Sequence, residues 1–250
     1  KRHCQFWFAI LALHKLGAVV IPATNLLMEH DLDYRFKAAG VRALVCTPDG
    51  QVADEALRAA ESCGTVEFLM MANGAREGWL DFDAEVEKQS DVFERTEDTA
   101  CGSDPMLMFF TSGTTGRSKG VMLSEANFFA VMDHHLSVGR AYLEAARDPD
   151  MLVGHLTVLP MFHLGAFGCL FTWAWMGWAQ NLGSLRSFYK DLKRMPSQAM
   201  AAVPVLVQSI HHDLMADKKS KLGDLWALNC MSAMFEPQIL MDLSEHGMFI

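Results

Sequence analysis

Residues 42–71 have the sequence RALVCTPDGQVADEALRAAESCGTVEFLMM, in which two short apolar segments flank a helical one. Arg42–Cys46 and Val66–Met71 predict β-strands. Val52–Cys63 predicts an amphipathic helix that ends at Gly64. Apolar strands that alternate with amphipathic helices are typical of a parallel sheet covered by helices on both faces. This stretch therefore predicts an α/β fold with layered, mostly parallel sheets and flanking helices.

The alternation continues on both sides of this stretch. Further predicted strands are residues 18–21, 106–111, 121–123, 152–159 and 225–231. Further predicted helices are residues 4–16, 31–39, 163–177, 204–215 and 237–246, and one that begins at Glu125 after Ser124 as its N-cap. Residues 72–103 are acidic and contain three glycines, so we expect a surface excursion with one short helix near residues 82–89.

Composition excludes several classes of protein. Hydrophobic residues make up 51% of the 250 residues, which excludes intrinsic disorder. A formal net charge of −9 argues against a general nucleic-acid binder, because phosphate backbones require a basic surface. Six scattered cysteines without a CxxC pair argue against a structural zinc site or a disulfide framework, and they favour a reducing, cytoplasmic location.

The strongest candidate for a membrane span is Leu164–Ala179, LGAFGCLFTWAWMGWA. It is shorter than the ~20 residues that a bilayer core requires, so we expect a buried core helix. Peripheral contact with lipid stays open. The chain begins with Lys1 and ends in the apolar Met248-Phe249-Ile250, and we expect it to be an internal part of a longer protein.

The segment that carries the chemistry is residues 108–124, MFFTSGTTGRSKGVMLS. Its glycines allow backbone N–H groups to approach an anion closely, and its hydroxyls and Lys119 add donors and a compact positive charge. It follows an apolar strand, where α/β proteins place ligand loops. The composition suits a polyphosphate cradle, although Ser/Thr/Gly-rich surface turns are also common. The order of residues fits neither the P-loop pattern GxxxxGK[ST] nor the dinucleotide pattern GxGxxG.

Phe110–Gly120, FTSGTTGRSKG, resembles the phosphate loop of the adenylate-forming superfamily, with Ser118 where that superfamily usually has Pro. The superfamily contains acyl-CoA synthetases, adenylation domains of non-ribosomal peptide synthetases and firefly luciferase. Lys15–Pro22 resembles its upstream helix-to-strand element, and Leu159–Gly165 resembles the motif at its acyl-substrate pocket. The resemblance implies that residues 1–250 form an incomplete N-terminal AMP-binding domain.

The resemblance also implies an activity. A carboxylate would attack the α-phosphate of ATP, present with Mg²⁺, to give an acyl-adenylate and pyrophosphate, and coenzyme A would then displace AMP. His163 would lie beside the acyl carboxylate and gate the pocket. The expected phosphate-binding residues are Thr111, Ser112, Gly113, Thr114, Thr115, Gly116 and Lys119. The apolar 164–179 stretch favours a medium- or long-chain fatty acid or a related apolar acid.

One segment departs from the family pattern, and several alternative interpretations remain open. Cys230–Pro237 stands where the superfamily has a run of small residues against the adenine, and only Ala233 clearly matches. The magnesium-binding Glu of the family is expected beyond Ile250. An adenylation enzyme that loads a carrier protein, a non-catalytic nucleotide- or acyl-binding relative, and an unrelated α/β NTPase are the alternatives. The oligomeric state is not predicted.

Two other clusters predict structural roles. The adjacent pairs His134-His135 and His211-His212 do not converge on one metal ion, because helical neighbours point about 100° apart. We expect them at solvated or partly buried helix positions. Trp173, Trp175 and Trp178 predict core packing, with an acyl tunnel as the second interpretation.

Overall fold

A computed structural model describes residues 3–97, 99, 101–111, 117–146, 151, 153–230 and 234–250 of the chain. The chain divides into two compact units, one that ends at Ala126 and one that begins at Asn127. The elements of the first unit are, in chain order, α1 (Gln5–Lys15), α2 (Glu29–Ala39), β1 (Ala43–Cys46), α3 (Val52–Cys63), β2 (Phe68–Met71), β3 (Leu80–Asp81), α4 (Phe82–Glu87), β4 (Pro105–Thr111) and β5 (Lys119–Ser124).

The first unit contains the parallel sheet that residues 42–71 predict. The strand order is β1-β2-β3, and Ala43 pairs with Phe68 in parallel register. Helix α3 has the predicted bounds because its alanine face is apolar and Gly64 ends it in the left-handed conformation, with φ +68°. Ala56 and Ala59 are fully buried, and they belong to one apolar cluster with residues of α2, β1 and β2.

The predicted strand at residues 18–21 is wrong in extent. Only Val20 forms a bridge, in which its N–H donates to the Met106 carbonyl and its carbonyl accepts from the Met108 N–H. Gly17 precedes this segment with φ +70°, and Pro22, which has no N–H, follows it. Both residues limit the ladder, so the segment forms a single bridge to β4.

The second unit is also α/β. Its elements are α5 (Glu125–Ala146), which begins at the end of the first unit, β6 (Gly154–Thr157), α6 (Leu164–Trp175), β7 (Ala179–Leu182), α7 (Phe188–Arg194), β8 (Ala199–Ala202), α8 (Pro204–Met215), the 3₁₀ helix Lys219–Lys221, β9 (Ala227–Cys230) and α9 (Pro237–Glu245). The four strands are parallel in the order β7-β6-β8-β9, and β6 and β8 are buried along their whole length. Both units confirm the predicted α/β class.

The tryptophan prediction is confirmed for two residues and wrong for the third. Trp173 and Trp178 are buried, and their rings stack with centroids 4.7 Å apart. The side chain of Trp175 is 73% exposed. Trp175 follows Trp173 by two helical positions, which turns it by about 200° to the opposite face of α6. It therefore belongs to the surface and not to the core.

No helix within the described residues is long and apolar enough to cross a bilayer. The apolar segment that begins at Leu164 forms the twelve-residue helix α6, so its length is about two thirds of what a span requires. Cys4, Cys46, Cys63, Cys101 and Cys230 are free thiols.

Candidate functional site

Strands β4 and β5 form an antiparallel hairpin that holds both ends of the predicted phosphate loop. Thr111 pairs with Lys119, Phe110 with Gly120 and Phe109 with Val121. Directly opposed residues of an antiparallel pair place their side chains on the same face of the sheet. The hairpin therefore brings Thr111 and Lys119 together at the end where the loop leaves β4 and enters β5. The other predicted phosphate-binding residues, Ser112, Gly113, Thr114, Thr115 and Gly116, lie outside the described residues.

The packing of the hairpin explains one of the loop glycines. A Cβ atom on Gly120 would lie 3.0 Å from Met108 Sδ and 3.6 Å from Phe110 Cζ. Phe110 and Met108 share this face with Gly120, and the aromatic ring lies where a side chain at position 120 would extend. Gly120 therefore allows the Phe110 ring to cover the strand next to Lys119.

Two residues of α2 contact the same face of the hairpin. The Tyr34 hydroxyl donates a hydrogen bond of 3.0 Å to the Ser118 carbonyl, and its ring meets the Phe110 ring edge-on with centroids 6.3 Å apart. The Arg35 guanidinium lies 4.9 Å from the centroid of the Phe110 ring. Sequence reasoning missed both residues, because a helix some 80 residues upstream gives no local signal of contact with the loop.

The hairpin is also rich in positive charge. Arg117 stacks over the Tyr34 ring at 5.5 Å, and Lys119 is exposed. Arg35 of α2 adds a third positive charge next to the hairpin. Burial lowers the pKa of Arg35, but its guanidinium remains charged at neutral pH. Within the part of the chain that the structure describes, neither Arg117 nor Lys119 forms an ion pair with a carboxylate. Cations without carboxylate partners beside a glycine- and hydroxyl-rich loop suit a polyphosphate ligand.

The described residues contain no cluster of side chains that could bind Mg²⁺. Among them, no group of three His, Cys, Asp or Glu side chains is arranged to hold a metal ion. The described part of the hairpin therefore offers no carboxylate cluster to a divalent cation.

His163 belongs to the second unit and immediately precedes α6. Its Nδ1 accepts a hydrogen bond of 3.2 Å from the backbone N–H of Gly165, the second residue of the helix. The imidazole thus acts as an N-cap, which satisfies one of the free N–H groups of the first turn. With Nδ1 as acceptor, the neutral ring carries its proton on Nε2. His163 is exposed, so this N–H is available to a ligand.

The segment expected at the adenine is described only at its two ends. Cys230 ends β9, and burial raises the pKa of its thiol to about 11. Met231, Ser232 and Ala233 lie outside the described residues, and Met234 is almost fully exposed. The expected position of these residues against the adenine therefore stays a prediction.

The histidine pairs lie at helix positions, as expected. His211 is partly buried, and its Nε2 lies 2.7 Å from Asp242 Oδ2, which links α8 to α9. A hydrogen bond from Gln238 and this contact with His211 lower the pKa of Asp242. His134 and His212 are exposed, and the His135 side chain lies outside what is described.

Comparison with known proteins supports the interpretation of the loop sequence. The profile of the AMP-binding enzyme family matches residues 1–248. The mitochondrial acyl-coenzyme A synthetase ACSM1 of Homo sapiens is 36% identical over 116 residues, which cover 46% of this chain and 19% of that protein. A long-chain-fatty-acid–CoA ligase of Thermus thermophilus is 31% identical over 169 residues, which cover 68% of this chain and 28% of the ligase. The matched segments thus span less than a third of either relative.

A solved structure gives the same fold. The inhibitor-bound N-terminal domain of FACL13 from Mycobacterium tuberculosis superposes with a TM-score of 0.74 at 19% identity, and the alignment covers 99% of this chain and 58% of that structure. At this identity the likeness shows the fold alone. Because the family profile extends over nearly the whole chain, the chain belongs to the AMP-binding enzyme family, the adenylate-forming superfamily that its phosphate-loop sequence resembles.

Proposed function

We propose that the protein that carries this chain is an AMP-forming acyl-CoA ligase for a medium- or long-chain fatty acid or a related apolar acid. The observation that carries the proposal is the hairpin, which pairs Lys119 with Thr111 and holds Arg117 and Lys119, cations that have no carboxylate partner among the described residues. The similarity to an acyl-coenzyme A synthetase of Homo sapiens and to a long-chain-fatty-acid–CoA ligase of Thermus thermophilus supports the same reaction class.

In the first step, a carboxylate oxygen of the acid attacks the α-phosphorus of ATP. The bond from that phosphorus to the bridging oxygen breaks, and pyrophosphate leaves with the negative charge that develops on it. The protein contributes mainly positioning and neutralisation of this charge. Lys119 and Thr111 would bind the β- and γ-phosphates, together with the hydroxyls of Ser112, Thr114 and Thr115 and the backbone N–H groups of Gly113 and Gly116.

In the second step, the thiol of coenzyme A attacks the acyl carbonyl, and AMP leaves. His163 would lie beside the acyl carboxylate during the first step and turn aside to admit the thiol. That rotation would give up the hydrogen bond from the Gly165 N–H to Nδ1. The capping bond therefore favours the ring position seen in the structure, and rotation would cost about the energy of one helix cap.

The chain itself would form part of the large N-terminal domain of such a ligase. Its alignment with 58% of the FACL13 N-terminal domain supports this assignment. Residues 1–250 would then supply the phosphate loop and the motif at the acyl pocket, whereas ATP as its magnesium complex, coenzyme A and the acid would be the small-molecule partners.

Acid-dependent exchange of labelled pyrophosphate into ATP tests the proposal. The whole protein is incubated with MgATP, pyrophosphate and acids from acetate to palmitate, and thioester formation is then followed with coenzyme A. We expect exchange that depends on the acid and rises from acetate to the longer acids. Exchange without any acid, or acyl transfer only to a carrier protein and not to coenzyme A, would contradict the proposal.

A further inference from the structure

The Tyr34 side chain contacts the phosphate-loop hairpin in three ways. Its hydroxyl donates to the Ser118 carbonyl at 3.0 Å, and its ring meets the Phe110 ring edge-on. The Arg117 guanidinium lies over the Tyr34 ring, 5.5 Å from its centroid. These contacts lie on both sides of the loop, since Phe110 is the last residue but one of β4, and Arg117 and Ser118 directly precede β5. A single side chain of α2 therefore holds both ends of the loop.

The hydrogen bond acts next to the lysine of the loop. The Ser118 carbonyl belongs to the peptide unit that ends in the backbone nitrogen of Lys119, and a peptide unit is planar and stiff. A hydrogen bond to this carbonyl therefore fixes the orientation of the backbone from which the Lys119 side chain extends. Lys119 itself is exposed and flexible, so its ammonium depends on the backbone for its position.

The residue at position 118 leaves the backbone at this point free to rotate. The superfamily usually has Pro there, and a proline ring would fix φ near −65° without help. Serine leaves φ free, so a contact at this position adds a restraint directly before the ladder with β4 begins at Lys119. The partly buried Tyr34 hydroxyl is the contact that the described residues provide at this carbonyl.

We propose that Tyr34 is a positioning residue for the phosphate loop, which it restrains through the Ser118 carbonyl so that Lys119 is held ready for the polyphosphate of the nucleotide. The inference rests on the proposed function, because it concerns binding of ATP by this loop. Arg35 assists from the next position of α2 by lying against Phe110.

The variant Tyr34→Phe tests this role, because it removes only the hydroxyl and keeps the ring between Phe110 and Arg117. In the whole protein we expect the KM for ATP in pyrophosphate exchange to rise about three- to tenfold, the factor for losing one hydrogen bond of ordinary strength. The KM for the acid should stay unchanged. Tyr189→Phe is the matched control, since the Tyr189 hydroxyl bonds to Asp213 in the second unit and should leave the KM for ATP unchanged.

Hydrogen–deuterium exchange without nucleotide gives a readout that does not depend on activity. In Tyr34→Phe we expect faster exchange in the peptide that covers residues 112–121 and unchanged exchange in peptides from α8. Unchanged exchange in the peptide that covers residues 112–121, or an unchanged KM for ATP, would overturn the role of Tyr34. If the wild-type protein shows no acid-dependent activity but the hairpin exchanges faster in the variant, the proposed function fails and the restraint by Tyr34 stands.

Discussion

Lys119 is the residue on which the proposed chemistry depends most. Its ammonium would neutralise charge on the departing pyrophosphate, and the register places it beside the Thr111 hydroxyl. We therefore expect Lys119→Ala to slow acid-dependent pyrophosphate exchange at least tenfold, which corresponds to about 1.4 kcal/mol of transition-state stabilisation. Initial rates of exchange in the whole protein measure the effect.

The control for this variant is Lys37→Ala. Lys37 lies on the exposed side of α2, where it pairs with Asp33 at 2.7 Å, and its removal should leave the exchange rate within twofold. Exchange that is equally fast in Lys119→Ala and in the wild type would contradict the assigned role of the loop lysine.

His163 gives a second prediction at this scale, because its Nδ1 caps α6. We expect His163→Ala to lower the free energy of unfolding by about 1 kcal/mol, the usual cost of losing an N-cap. His163→Asn should retain most of that stability, since Asn also accepts a hydrogen bond at this position. Urea unfolding of the whole protein compares the two, and an equal loss in both variants would show that the capping bond is unimportant.

At the residue scale, the sequence was informative where chemistry depends on a local run of residues. Thr111 and Lys119 belong to one short segment whose composition predicts a ligand loop, so both were found, but their pairing was not predicted because the second strand was expected to begin only at residue 121. Tyr34 could not be found in this way. It lies 84 residues before Ser118, and the contact arises only when α2 packs against the hairpin.

Among the elements, α3 makes the sharpest prediction about packing. Ala59 is fully buried within the apolar cluster that α3 forms with α2 and the parallel sheet. Ala59→Leu would force extra volume into this cluster and should destabilise the protein by about 1–3 kcal/mol. Glu61→Leu, two positions along at an exposed site, should change stability by less than about 0.5 kcal/mol in the same urea titration. Equal stability of the two variants would mean that α3 is loosely packed.

The contact of α8 with the 3₁₀ helix predicts a dependence of stability on pH. Asp213 is buried, and hydrogen bonds from Lys221, 2.8 Å away, and from Tyr189 hold the pKa of its carboxyl below the ordinary value of 3.8. A lowered pKa in the folded state stabilises the protein above pH 3.8, and this stabilisation is lost as the pH falls through the folded-state pKa. Asp213→Asn should therefore be less stable than the wild type at pH 7.

The measurement for this prediction is urea unfolding at several pH values. The difference between wild type and Asp213→Asn should be constant from pH 7 to 5 and should shrink below pH 3.8, where the wild-type carboxyl becomes protonated. A difference that is the same at all pH values would show that the ion pair with Lys221 contributes nothing.

Prediction of the elements succeeded where local patterning is strong. Helix α3 has an amphipathic sequence and a glycine that ends it, so its bounds are those predicted. Strands β7 and β8, with the sequences AQNL and AMAA, were missed, as was the short helix α7. Neither strand contains a β-branched residue. The ladder of β7 with β6, and those of β8 with β6 and β9, determine that they are extended.

For the whole molecule, the α/β class and the family could be predicted because alternating elements and one loop motif carry them. The division into two compact units at Ala126 and Asn127 could not. It falls at the start of α5 without a Pro-, Gly- or Ser-rich linker, and contacts between residues distant in sequence define it.

The nucleotide product tests the central claim most directly. The whole protein is incubated with ATP labelled at the α-phosphate, with and without a long-chain fatty acid and with and without coenzyme A, and the labelled products are separated. A ligase that forms an acyl-adenylate should convert ATP to AMP and pyrophosphate only when the acid and coenzyme A are present. Formation of ADP, or hydrolysis that ignores the acid, would contradict the claim that this loop serves adenylate formation.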